Sequence, residues 1–212
     1  RITIEKVFTS RKRTQQWLAY AYSFLKDENA DVVGKEKETN SFTFADDMYY
    51  GDRDVNYDSK EFDELSYNTF MQGEYNENDF NQGWTMCYKG IYQASVFIAN
   101  IYRNTEMTEK ERLDFKGQAR FVRAYFYWLL LRRYGPVPIM PDEGVDYTRS
   151  YEQIATPRSS YEEVANYISS EMVQAAKEIQ YTKRDGENCA RPTKGACLAT
   201  RALALTFAAS PL

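Results

Sequence analysis

The spacing of apolar residues constrains the fold of this chain more than any other feature. Apolar residues recur every three or four positions, as on one face of an α-helix, and no alternation of period two longer than four residues is convincing. The clearest case is a predicted helix over 108–133, which starts at a T-x-x-E capping box made by Thr108 and Glu111. It stops because Gly135 permits a left-handed cap and Pro136 cannot continue the helical hydrogen bonds. The buried stripe expected for this helix consists of Phe115, Ala119, Val122, Phe126 and Leu129.

Four more helices follow from the same periodicity, so the chain is predicted to be all-α. Ser160 and Glu163 form a second capping box, and Thr193 begins an Ala-rich helix that we expect to lie deep between its neighbours. We expect tetratricopeptide-like helix hairpins stacked into an α/α superhelix, although no clean period of 34 is present. The predicted helices cover 11–26, 84–103, 160–180 and 193–209, and the expected pairs are 84–103 with 108–133 and 160–180 with 193–209.

One long segment, residues 41–82, breaks the helical pattern. It holds eleven Asp and Glu against two basic residues, so its net charge is −9 and the rest of the chain is near +5. It also holds ten aromatic residues, which a solvated linker would lack. Long loops without regular structure in compact domains are usually functional or disordered, and the aromatic content favours an ordered insert.

Three interpretations of this acidic aromatic insert stay open. In the first, its rings complete the core and its acids face water. In the second, its flat rings beside Asp and Asn bind sugars, and in the third its D-x-D spacing holds Ca²⁺. A sugar would pack the apolar face of its ring on an aromatic side chain and pair its hydroxyls with carboxylates. Adjacent acids in a loop do not specify the separation that a glycosidase needs, so no catalytic residue, metal ligand or cofactor is assigned. The candidate ligand-binding residues are Asp46, Asp47, Tyr49, Tyr50, Tyr75 and Trp84.

Composition excludes several classes of function. The chain has no His, which removes the Ser-His-Asp and Cys-His nucleophiles and the commonest metal ligand. Its three Cys residues show no CxxC spacing; Cys87 and Cys197 are expected to be buried, and a disulfide from Cys189 stays open. A net charge of −4 argues against nucleic acid as a partner, and no apolar run approaches the ~20 residues of a membrane span.

A basic stripe lies along the third predicted helix. Such a stripe is usually a solvated face or pairs with acids on the neighbouring helix. Arg123, between Val122 and Ala124, is the one member expected to be partly buried and hydrogen-bonded, in a structural role. The stripe consists of Arg112, Lys116, Arg120 and Arg123.

Two consecutive segments resemble the SusD/RagB family: the run from Phe115 to Leu129 and the following Tyr134-Gly-Pro-Val-Pro138. The family's pattern there is G-E-A-R-F-L-R-A and then Y-G-x-V-P. This chain carries Gln118 where the family usually has Glu. The resemblance spans nearly all 212 residues, and its motifs occur in the family's order. The further matches are Trp84-x-x-x-Tyr88-x-x-Ile91 ending in Ala99-Asn100, then Pro157-Arg158-Ser159, Arg191-Pro-Thr-Lys194 and Ala208-Ala-Ser-Pro-Leu212.

The resemblance implies a fold, a partner and a location. Its members are surface-exposed outer-membrane lipoproteins that capture nutrients, mainly glycans, for a SusC-type TonB-dependent transporter. Their tetratricopeptide-like helix pairs face the transporter, and ligand contacts come from loops of the N-terminal part and from a C-terminal part. The lipid-bearing Cys of the family is not in this sequence, which opens at Arg1, and we expect residues 1–212 to be the N-terminal part of a longer protein.

The leading hypothesis is therefore a non-enzymatic protein that binds glycans or other nutrients and passes them to a transporter. The first alternative is a scaffold whose helix pairs hold a protein partner without a ligand site of their own. The second is a fragment of an all-α glycoside hydrolase, which predicts turnover that is lost in Asp46→Asn or Asp47→Asn.

Overall fold

The computed structural model describes residues 3–25, 81–142 and 148–210, and these residues form helices joined by turns and loops, with no strand among them. Three of the five long sequence-predicted helices keep their bounds to within two residues. The helix predicted over 84–103 begins and ends three residues earlier, and the one predicted over 11–26 ends four residues earlier. Short 3₁₀ turns follow at Ile101–Arg103 and Gly186–Asn188. The helices are α1 (Ile4–Phe8), α2 (Arg11–Tyr22), α3 (Asn81–Asn100), α4 (Glu109–Tyr134), α5 (Tyr151–Ile154), α6 (Tyr161–Glu178) and α7 (Lys194–Ala208).

Both predicted capping boxes are present. The Thr108 hydroxyl accepts a hydrogen bond from the backbone N–H of Glu111, and the Glu111 carboxylate accepts one from the backbone N–H of Thr108. Ser160 and Glu163 make the same reciprocal pair at the start of α6. Each box satisfies N–H groups that the first helical turn leaves without partners. At the other end of α4, Gly135 has φ of +67°, a conformation that favours glycine.

The expected hairpin of α3 and α4 is confirmed. Gly90 of α3 lies against the ring of Phe126 on α4, where an added Cβ would come within 2.2 Å of a ring carbon. The two helices therefore approach each other closely at a point where only glycine fits. Ala119, Val122 and Phe126 of the predicted stripe are buried, whereas Phe115 and Leu129 are only partly buried.

The N-terminal helices pack on this hairpin through an apolar cluster. The rings of Phe8 and Phe97 meet edge to face, with 5.6 Å between their centroids. The Trp17 ring is tilted against Phe8 at 5.4 Å between centroids. The Trp17 indole N–H donates to the backbone carbonyl of Gln93 over 3.1 Å, which orients its partly buried ring. The buried members of the cluster are Phe8, Leu18, Val96, Phe97, Ile101, Met107 and Ala119.

The second expected hairpin, α6 with α7, is also present, and α6 packs along α4. Gly117 of α4 permits the close approach of the chain just after α6, because a Cβ there would lie 2.7 Å from the backbone nitrogen of Ile179. The helix pairs therefore stack in sequence, as in a tetratricopeptide-like arrangement. By its internal contacts the chain divides into two units, Arg1–Leu25 with Cys87–Leu212 and Lys26–Met86.

The expectation that α7 lies deep between neighbours is wrong for the described part of the chain. Only Cys197, Thr200 and Ala204 of this helix are buried. Its opposite face is open, with Leu198, Leu203 and Phe207 among the exposed large apolar residues. Small residues allow close approach to α6 on one face, but they do not by themselves supply a neighbour on the other.

Candidate functional site

Of the six predicted ligand-binding residues, Trp84 is the one that the structure describes. It lies in the first turn of α3 and is partly buried. The other five, Asp46, Asp47, Tyr49, Tyr50 and Tyr75, lie outside the described residues, as does nearly all of the predicted insert at 41–82. The structure therefore does not bring these residues together or separate them, and their roles stay predictions.

The loop after α4 is held by two tyrosines that the sequence does not single out as a pair. The Tyr88 hydroxyl donates to the carbonyl of Pro138 over 2.7 Å, and the Tyr127 hydroxyl accepts from the backbone N–H of Met140 over 2.9 Å. Their rings meet edge to face at 6.4 Å. Burial raises the pKa of Tyr88 and raises that of Tyr127 to about 12, so both hydroxyls keep their protons at neutral pH. This pair fixes the path of residues 136–142.

Two members of the basic stripe of α4, Arg120 and Arg123, pair with acids on α6, whereas Arg112 donates to backbone carbonyls just before α4. Arg120 lies 2.9 Å from both Glu171 and Glu178, and Arg123 donates to Glu171 over 2.5 Å. Arg123 also reaches Asp142, at 2.9 Å, in the loop after α4. The prediction that Arg123 is buried and hydrogen-bonded is confirmed, since its side chain is almost fully enclosed. The arrangement joins α4 to α6 and to the loop that follows α4.

A cavity of about 500 Å³ lies where the start of α4 meets α2 and the loop between α6 and α7. Charged and amide side chains dominate its walls, with one exposed aromatic ring, Tyr181. Pockets that hold small ligands span about 300 to 1,000 Å³. The lining residues are Arg11, Gln15, Lys110, Glu111, Asp114, Phe115, Gln118, Tyr181, Lys183, Arg184, Asp185, Asn188 and Arg191.

A buried ion pair forms one wall of this cavity. The Arg184 guanidinium donates to the Asp114 carboxylate over 2.8 and 3.1 Å, and both side chains are almost fully enclosed. The backbone N–H of Gln180 also donates to Asp114, over 2.9 Å. Because a buried charge needs such partners to offset its lost hydration, the pair fixes the α6–α7 loop to α4.

Gln118 connects this ion pair to a second cation. Its amide nitrogen donates to Asp114 over 2.7 Å, and its amide oxygen accepts from Arg191 over 2.9 Å and from the Tyr22 hydroxyl over 3.2 Å. A Glu at position 118 would place a second carboxylate beside Asp114 and would have no N–H group to donate to it. Burial raises the pKa of Tyr22, so its hydroxyl remains a hydrogen-bond donor. The amide is therefore suited to this position by its one donor and one acceptor side.

Sequence analysis missed this cavity. Asp114, Arg184 and Arg191 are far apart in the chain, and each alone resembles an ordinary surface charge. The sequence feature that could have indicated the cavity is Gln118, which departs from the family pattern at a position whose neighbours on the helix are buried. Only the fold shows which groups this amide meets.

The structure also bears on the predictions for the cysteines, for metal ligands and for membrane-spanning helices. All three cysteines are free; Cys87 and Cys197 are buried, which raises their pKa to about 11 and about 12, and Cys189 is exposed without a disulfide. Within the described ranges, no three acidic or Cys side chains are grouped as metal ligands. The calcium hypothesis concerns the insert, outside these residues. No helix among those described is both long and apolar enough to span a bilayer.

Solved structures share this fold. A SusD-like protein from Bacteroides fragilis superposes with a TM-score of 0.68 at 17% identity, covering 96% of this chain and 36% of that one. Surface glycan-binding protein A from Bacteroides uniformis gives 0.69 at 19% identity, covering 94% and 42%. A laminarin binding SusD-like protein gives 0.69 at 15% identity, covering 94% and 41%. At these identities the likeness shows the fold, and the chain spans about two fifths of each protein.

Two sequence comparisons agree with the fold. SusD-like protein P25 of Formosa agariphila is 29% identical over 55 residues, which are 26% of this chain and 10% of that protein. A sequence model of a SusD-like family, described as starch-binding and associating with the outer membrane, matches residues 8–204. Because that match covers most of the chain, and the helical fold is the one found in its solved relatives, this chain belongs to the SusD-like family.

Proposed function

We propose that this protein is a non-enzymatic, surface-exposed outer-membrane lipoprotein that binds glycans and passes them to a SusC-type TonB-dependent transporter. The observation that carries the proposal is the family match over residues 8–204, to a family described as starch-binding and associating with the outer membrane. The names of the related structures support it, since they denote binding proteins for laminarin and surface glycans.

The part of the proposed glycan site that can be argued from the structure is Trp84. An indole in the first turn of a helix, partly rather than fully buried, leaves some of its ring surface open to a ligand. The apolar face of a sugar ring packs on such a surface, and we expect it to contribute about as much as the contact between two aromatic side chains, about 0.5–1.5 kcal/mol. Tyr49, Tyr50, Asp46 and Asp47 of the insert are proposed to complete the site.

Calorimetric titration of the protein with starch and laminarin oligosaccharides tests the proposal. We expect measurable binding of at least one glucan, weakened about tenfold by Trp84→Ala, because tenfold corresponds to about 1.4 kcal/mol. Tyr102→Ala is the matched control, since Tyr102 is an aromatic residue in the 3₁₀ turn that follows the same helix and is 66% exposed. Its affinity should equal that of the unaltered protein.

Two further measurements separate the proposal from its alternatives. Co-purification with a SusC-type transporter, together with glycan binding, supports delivery, whereas transporter binding without any glycan affinity would favour the scaffold. Release of reducing sugar that disappears in Asp46→Asn or Asp47→Asn would overturn the assignment as a non-enzymatic protein.

A further inference from the structure

The cavity between α2, α4 and the α6–α7 loop contains none of the residues predicted to bind glycans, and its charges are not balanced. Five of its lining residues are cationic, Arg11, Lys110, Lys183, Arg184 and Arg191, and three are acidic. The walls therefore carry an excess of two positive charges, although the chain as a whole carries −4.

The three acids are already engaged. Asp114 receives Arg184, Gln118 and the Gln180 backbone, and Glu111 receives Arg11 and the capping N–H of its own helix. Asp185 lies 3.4 Å from Lys183, with both side chains exposed. These contacts leave two cations, Lys110 and Arg191, and in the described part of the chain neither forms an ion pair with a carboxylate.

Arg191 is held in place by neutral groups. Its Nη1 donates to the uncharged oxygen of Gln118 over 2.9 Å, and its guanidinium lies 5.7 Å from the centroid of the Tyr22 ring. These contacts orient the side chain without neutralising it. A guanidinium fixed in this way has further N–H donors in a planar fork, the geometry that matches an oxyanion.

Lys110 is held near Tyr181 at the edge of the same cavity. The ammonium lies 5.9 Å from the centroid of the Tyr181 ring, and the Arg184 guanidinium lies 4.6 Å from it. Tyr181 is itself 44% exposed. An aromatic ring attracts cations by its quadrupole but carries no net charge, so the positive charge of Lys110 remains available to a ligand.

We propose that this cavity binds the anionic substituent of a charged sugar, a carboxylate or a sulfate ester, through Arg191 and Lys110. The amides of Gln15 and Asn188 line the same cavity and supply donors and acceptors for sugar hydroxyls. Its volume of about 500 Å³ lies within the range of pockets that hold small ligands. The identification of a sugar as the carrier of the anion rests on the proposed function. The anion site itself rests on the two cations that form no ion pair within the described residues.

Titration calorimetry of the protein with four probes tests the site: a galacturonic acid disaccharide, its methyl ester, a sulfated disaccharide and inorganic sulfate. We expect at least one charged disaccharide to bind, and to bind at least tenfold more tightly than the methyl ester and inorganic sulfate. Arg191→Gln and Lys110→Gln should each weaken that binding several-fold to tenfold. Lys12→Gln, the same change of charge at an exposed residue of α2 outside the cavity, should not.

The outcomes distinguish this proposal from the glycan site discussed above. The anion site would be overturned if neither charged disaccharide binds, if neither binds more tightly than the methyl ester, or if both cavity variants have no effect. Sulfate that binds as tightly as the charged disaccharides would overturn the sugar as the carrier. Neutral glucan binding should be unchanged in Arg191→Gln and reduced in Trp84→Ala, so loss of glucan binding alone contradicts only the proposed function. Circular dichroism verifies that each variant is folded.

Discussion

Two interfaces of this protein bury large surfaces with opposite chemistry. The N-terminal helices meet the α3–α4 hairpin through apolar and aromatic side chains such as Phe8, Leu18 and Phe97. The interface between α4 and α6, by contrast, buries Arg123 and much of Arg120 against Glu171 and Glu178 of α6. Both interfaces exclude water from most of their side chains, but only the first could be recognised from apolar spacing.

The comparison teaches how each interface specifies its geometry. Apolar burial is roughly proportional to area and tolerates small shifts. A buried ion pair requires its donors and acceptors at fixed distances, and breaking it leaves a charge without a partner at a cost of about 3–5 kcal/mol. The apolar interface therefore supplies attraction, while the charged interface fixes the register of α6 along α4.

The largest loss of stability is expected when a buried ring is removed from the apolar interface. Phe97→Ala removes a fully buried ring that meets Phe8, and the free energy of unfolding should fall by about 4 kcal/mol. Urea denaturation measures the change. Tyr102→Ala, which truncates an exposed ring nearby, should change stability by less than about 0.5 kcal/mol. A loss below about 1 kcal/mol for Phe97→Ala would contradict the assignment of this cluster as a core.

A somewhat smaller effect is expected from the charged interface. Arg123→Met should lower the free energy of unfolding by about 3 kcal/mol, because Glu171 loses one of its two guanidinium partners. Lys116→Met is the matched control on α4, since Lys116 is only partly buried and forms no ion pair within the described residues.

A double variant sharpens this prediction. Adding Glu171→Leu to Arg123→Met removes both charges and should restore part of the stability, since an apolar pair has no desolvation penalty. The double variant could instead lose more free energy of unfolding than the two single variants lose together. In that case the ion pair does not act as a unit, and the contrast drawn between the two interfaces is contradicted.

The smallest of the three effects tests the close approach beside the charged interface. Gly117→Ala would place a Cβ 2.7 Å from the backbone nitrogen of Ile179, and we expect a loss of about 2 kcal/mol from overpacking. Gly195→Ala in α7 meets only the Thr193 hydroxyl at 3.7 Å, so helix propensity should make it stabilising by up to about 1 kcal/mol. Thermal unfolding of both variants should therefore shift in opposite directions.

Much of the fold was predictable because its signals are local. A capping box needs only Thr108 and Glu111 three residues apart, and a helix stop needs only Gly135 and Pro136. The periodicity also predicted the burial of Ala119 and Val122. The burial of Arg123 followed from its apolar neighbours, but its partners could not be named, since Glu171 and Asp142 are brought to it only by the tertiary fold.

Within the described residues, the burial predicted for α7 is found on one face only. Its Ala-rich sequence correctly indicates a close neighbour, α6, on one face. How many neighbours a helix has is a property of the stacked fold and is not encoded in the composition of that helix. The exposed Leu198 and Leu203 show the difference.

The candidate site was less predictable than the fold. Trp84 was predicted from its aromatic side chain at the start of a helix, and the roles of all six candidates stay predictions: Asp46, Asp47, Tyr49, Tyr50, Tyr75 and Trp84. The anion cavity was missed, because its residues come from α2, α4 and the α6–α7 loop and share no spacing. Charge balance within a pocket can be assessed only after the pocket is known.

The amide of Gln118 has a consequence for how the two halves of the polar interior respond to a ligand. Its nitrogen faces Asp114 and its oxygen faces Arg191, so no net charge lies between the two. The same amide therefore links the Asp114–Arg184 pair to the Arg191 guanidinium without adding a charge of its own. Because Arg184 and Arg191 both belong to the α6–α7 loop, we expect an anion at Arg191 and the ion pair that holds this loop to affect each other through Gln118.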